Sequence, residues 1–91
     1  MKTFIISYDL HKPGRDYSTL IDFLKKESPT YWHHLESMWI VKTDSTAVKI
    51  RDAIKKKIDG NDDVIVIELT CQMWATYGFS KRATDWLQKQ L

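Results

Sequence analysis

Cysteine is almost missing from this chain: Cys71 is the single one among 91 residues. One thiol cannot close an internal disulfide or build a cysteine-based zinc finger, so the expected setting is a reducing cytoplasm and the expected stabiliser is a core. Proline and glycine are sparse as well, at two and three residues. That leaves no linker, no low-complexity segment and no glycine-rich loop to cradle a phosphate. Long apolar runs are also lacking, which excludes a membrane-spanning helix, and the N-terminal apolar stretch is too short and too polar at Ser7 and Asp9 for a signal peptide. Neither sign of charge dominates: fourteen basic and twelve acidic side chains leave a net +2. This balance permits a polyanionic partner without requiring one.

What is present reads as one globular domain, 43% hydrophobic, with room for one modest core. The run Thr3 to Leu10 alternates, with Phe4, Ile6, Tyr8 and Leu10 on one face and Thr3, Ile5, Ser7 and Asp9 on the other. It predicts a strand that ends at Asp9, because His-Lys-Pro-Gly follows as a loop. Asp16 is placed to cap a helix whose stripe is Tyr17, Leu20, Ile21 and Leu24, and Ser28-Pro29 ends it.

Tyr31 to Thr43 favours strand but is too long for one, so Glu36-Ser37 is expected to be a corner between two antiparallel strands or a bend in a single one. Asp44-Ser45 supplies caps for a second helix with Ala47, Ile50, Ile54 and Ile58 inward and Lys49, Arg51, Lys55, Lys56 and Lys57 outward. Asp59 to Asp63 is a turn. Val64 to Leu69 resembles a strand from inside a sheet. Cys71 to Phe79 looks extended, and Ser80 caps a last helix with Ala83, Trp86, Leu87 and Leu91 inward.

The predicted order is β-α-β-β-α-β with a C-terminal extension beyond about residue 70, an α+β ferredoxin-like sandwich with both core helices on one sheet face. The other face is expected to carry Ile5, Ser7 and Asp9 beside Val66, Glu68 and Thr70. An exposed face of this mixed kind marks an interface, and a two-fold dimer through it, or through the sheet edge, would bring two copies of Asp9 toward one axis.

The opening ISYDL, then HHLESMWIV, a lysine-rich helix and NDDVIVIEL resemble the CRISPR-associated adaptation protein Cas-two and its relatives, the VapD-like ribonucleases, over roughly residues 1 to 70. The resemblance implies a ferredoxin-like homodimer acting on nucleic acid, in some members as a metal-dependent nuclease and in others as a non-catalytic scaffold. It assigns the strand-end metal ligand to Asp9. The chain departs from the family pattern in having Leu35-Glu36-Ser37 in place of a Gln-basic-Ser step, and in carrying only His11, Lys12 and Arg15 before the first helix.

Each candidate residue also has an ordinary reading. Asp9 is either a magnesium ligand or a strand-end carboxylate bonded to its own turn. His11, on the loop after Asp9, is placed to contact a phosphate or shuttle a proton. Lys12, Arg15 and the helix cations Lys49, Lys55 and Lys56 would meet phosphates, or simply form a solvated surface. His33 and His34 point to opposite faces of a strand and cannot share a metal within one chain. Two function classes therefore stand: a magnesium-dependent endonuclease of DNA or RNA, with Asp9 and His11 at its centre, and a non-catalytic dimeric module that binds nucleic acid or a protein in an antitoxin, defence or phage-related role.

Overall fold

A computed structural model describes residues 1–70 and 73–91. Cys71 and Gln72, at the start of the predicted extended tail, lie outside the described residues. The elements run β1 (Lys2–Asp9), α1 (Ser18–Glu27), β2 (Thr30–Leu35), β3 (Met38–Thr43), α2 (Ala47–Lys55), β4 (Asp63–Leu69) and α3 (Lys81–Gln90). The four strands form one antiparallel sheet in the order β2-β3-β1-β4. This is a small α+β fold.

The alternation of β1 sorts its side chains as the sequence predicts: Phe4, Ile6 and Tyr8 are buried and Asp9 is exposed. They join Leu20 and Leu24 of α1, Ile50 and Ile54 of α2, and Trp39 and Val41 of β3 in the main core. Within it the Trp39 indole N–H donates to the Tyr8 hydroxyl at 3.0 Å. That bond satisfies a polar group which would otherwise be costly to bury. Burial pushes the Tyr8 phenol above its ordinary pKa, and the Trp39 donor only partly offsets the shift.

Glu36-Ser37 is a two-residue turn between β2 and β3. Trp32 pairs with Ile40 and Leu35 with Met38, so His33 and His34 together oppose Trp39 alone, a bulge in β2.

The caps differ in detail from those predicted. Thr46, not Asp44 or Ser45, caps α2 by accepting from the Lys49 amide. Asp16 sits one place before the N-cap Tyr17 and accepts from the Ser18 amide at 2.9 Å. That bond draws its carboxyl below the usual range. Helix α2 stops at Lys55, which leaves Lys56 and Lys57 in the following turn. Ser80 caps α3 as expected, accepting from the Ala83 amide.

Three expectations about the second sheet face are overturned. Strand β4 lies at the sheet edge, not inside it. Its register sets Ser7 opposite Ile65 and Asp9 opposite Asp63, so Ile65, Ile67 and Leu69 share the Asp9 face while Val66 and Glu68 turn the other way. The starting residue of β4 decides this, because a one-residue shift exchanges the faces of every side chain. The face is also not bare. Helix α3 packs Ala83 and Leu87 onto Trp32 and Ile40, with Ile5, Met38 and Phe79 around them, so the sheet lies between two helical layers. The Trp32 indole N–H donates to the Ala83 carbonyl at 3.0 Å, and Lys42 Nζ donates to the Gln90 carbonyl at 2.9 Å. Among the described residues, Ile65 and Ile67 of β4 stay open on this face, 54% and 46% exposed.

Candidate metal centre

Strand β1 ends where β4 begins, and antiparallel pairing makes Asp9 and Asp63 the last partners of the ladder. Two carboxylates directly opposite one another repel, so the arrangement needs a compensating charge or donor. His11 supplies a donor. Its Nε2 lies 3.0 Å from Asp63 Oδ2, and ligand atoms of Asp9, His11 and Asp63 all fall within 4.8 Å of one another. All three residues are exposed.

The loop that delivers His11 is tied to the turn before β4. Asp62 Oδ1 accepts from the His11 amide at 2.6 Å, and its Oδ2 accepts from the Tyr17 hydroxyl at 2.6 Å and the Asp59 amide at 2.7 Å. Desolvation pulls the Asp62 carboxyl upward, but these donors and the nearby imidazole outweigh it and hold its pKa below the ordinary value. Desolvation also raises the Tyr17 phenol, and its bond to Asp62 and the carboxylate charge push it the same way.

Asp9 and His11 are thus brought together as the strand-and-loop pattern requires. Lys12 and Arg15 are near but engaged elsewhere, reaching Asp59 at 3.5 and 3.8 Å on the back of the same turn. Lys49, Lys55 and Lys56 are exposed and belong to α2 and its C-terminal turn. Lys49 stands in the first turn of α2 and the other two at its end, so the three do not converge on Asp9.

Asp62 and Asp63 are not legible as site residues in the sequence, where the run Asp59 to Asp63 reads as a turn; the signal that points further is the density of acids just ahead of a strand that pairs with β1.

Hard divalent cations are held by oxygen donors, magnesium often by one or two carboxylates with water completing its shell. The pair Asp9 and Asp63 fits that donor set. His11 fits as the group that orients Asp63. Shallow recesses flank Asp9 on both sides, one along Ser7, Asp63 and Ile65 and the other along Leu10, Glu36 and Ser37. No helix among the described residues is long and apolar enough to cross a membrane. No protein-family model, no curated protein and no solved structure matches this chain.

Proposed function

We propose that this chain is a ferredoxin-like, cytoplasmic protein of the Cas-two and VapD type that acts on nucleic acid as a magnesium-dependent endonuclease. The observation that carries this reading is the convergence of Asp9, His11 and Asp63 at the open end of the β1–β4 pair. The order β2-β3-β1-β4 in an antiparallel sheet supports the ferredoxin-like part.

Asp9 and Asp63 would hold the ion, which would supply charge neutralisation at the phosphate and activation of water for phosphodiester hydrolysis. The chain's own groups do the rest. His11 fixes Asp63 through its Nε2, and when protonated its remaining ring nitrogen, Nδ1, would give its proton to the departing oxygen as the P–O bond breaks, then regain one from solvent. Asp62 holds the His11 backbone in place, and Lys12 and Arg15 stiffen the turn through Asp59. Because the second carboxylate comes from Asp63 of the same chain, the ion does not require two copies of Asp9.

The test is cleavage of labelled single- and double-stranded RNA and DNA with and without magnesium. Wild-type cleavage that needs the ion, and that is lost in both Asp9→Ala and Asp63→Ala with the fold intact, is the expected result. Activity that persists in both variants would overturn it.

The exposed Ile65 and Ile67 on a free edge strand favour a second reading, a non-catalytic homodimer or protein-binding module. Concentration-dependent self-association in sedimentation velocity, with no cleavage of any of the four substrates, would select that reading.

A further inference from the structure

We infer that the protein carries a second ligand site, a nucleotide-binding recess at the outer edge of β2. A half-open cavity of about 400 Å³ lies among Lys25 of α1, Tyr31, His33 and His34 of β2, and Arg82 and Trp86 of α3. That volume falls in the range of small-molecule sites, roughly 300–1,000 Å³.

Its chemistry selects an anion that also has a flat apolar face. Two cations, two imidazoles and two larger aromatic rings line it, and no carboxylate does among the described residues. Lys25 and Arg82 form no ion pair among the described residues, whereas Lys12, Arg15, Arg51 and Lys81 each have one. A recess that concentrates positive charge with no internal counter-charge attracts phosphate, and a guanidinium binds it through paired donors.

The rings are held in place before any ligand arrives. The Trp86 indole N–H donates to Thr30 Oγ1 at 2.7 Å, and Tyr31 leans on Trp39 with ring centroids 5.2 Å apart. His33 stacks on Trp39 at 3.8 Å and 15°, while His34 tilts against Trp32 at 5.1 Å. The bulge in β2 is what lets both adjacent histidines border one cavity. Pre-oriented aromatic faces beside unpaired cations are what a base and its phosphate require.

The ligand class is a phosphorylated nucleoside, either free or as one unit of a single strand. This inference deepens the nucleic-acid reading and rests on it for the choice of a nucleotide. It uses none of the residues at Asp9, so the two can fail separately.

The experiment is NMR titration of the full chain with AMP, with inorganic phosphate and with a short single-stranded oligoadenylate, all in metal-free buffer. Saturable shifts of the His33, His34 and Trp86 ring signals are expected, with AMP tighter than phosphate. Arg82→Glu and Tyr31→Ala should each weaken AMP by about tenfold, and Asp9→Asn should leave it unchanged. An oligoadenylate that binds tighter than AMP assigns the recess to a strand, and equal affinity assigns it to the free nucleotide. AMP no tighter than phosphate, or undiminished in Arg82→Glu and Lys25→Glu of native circular dichroism, would overturn the site, whatever the outcome of the cleavage assay.

Discussion

Asp9 and Asp63 face each other across the final pair of the β1–β4 ladder, and His11 bonds to Asp63 beside them. Without a cation, this pair places like charges at the closest cross-strand distance. Asp9→Asn or Asp63→Asn should therefore raise the metal-free melting temperature by about 1–5 °C. Magnesium should stabilise the wild type and neither variant. Thermal melts with and without the ion decide the matter, and equal magnesium effects on all three proteins would remove the carboxylate pair as the ligand.

Asp62 makes stability depend on acid. Its folded pKa lies below the unfolded carboxylate value near 3.9, so its contribution is present above that value and is lost as pH falls through the folded pKa. Tyr17 acts at the other end: its folded pKa is raised, so its contribution is present below about pH 10 and is lost as pH rises through the folded value. Urea unfolding across pH should show Asp62→Asn with a flatter acid limb and Tyr17→Phe with a flatter alkaline limb.

The core bond between Trp39 and Tyr8 has a directional test. Tyr8→Phe removes the acceptor and leaves the buried indole N–H unpaired, which should cost about 1–3 kcal/mol in urea unfolding. A loss well below this range would show that water reaches the indole.

Helix α3 is an integral layer. Leu87 is 4% exposed and packs in the cluster with Trp32 and Ile40. Leu87→Ala should cost about 2–5 kcal/mol, by lost burial and the cavity it leaves. Exposed Lys49→Ala should stay within about 0.5 kcal/mol. A dye that reports apolar surface should bind the first variant more than wild type and the second no more than wild type.

The free edge of β4 predicts self-association. In an antiparallel pairing of two β4 strands about Val66, Ile65 would meet Ile67 of the second copy and no acidic side chains would be directly opposed. Ile67→Lys should convert a dimer to a monomer in sedimentation velocity without lowering the melting temperature, since a lysine on an edge blocks strand addition.

Much of this architecture was legible in periodicity. Phe4, Ile6 and Tyr8 alternate, Leu20 and Leu24 or Ile50 and Ile54 recur at helical spacing, and Glu36-Ser37 interrupts a run too long for one strand. These are local patterns, set by which side of a strand or helix a side chain occupies. The site was half legible for the same reason. Asp9 and His11 are neighbours along the chain, whereas Asp63 joins them only across the β1–β4 pair.

Local pattern was enough for the elements, their order, the inward faces of β1, α1, α2 and α3, and the placement of a carboxylate at a strand end. Folding in three dimensions settled the rest: that β4 is an edge, that Ile65 and Ile67 rather than Val66 share the face of Asp9, that α3 covers the β2–β3 part of that face, and that Lys12 and Arg15 are engaged by Asp59. Each of these depends on register or on contacts between residues far apart in the chain. A strand's own pattern of side chains reads the same whether one neighbour or two lie beside it, and a shift of one residue in pairing reverses what every side chain meets.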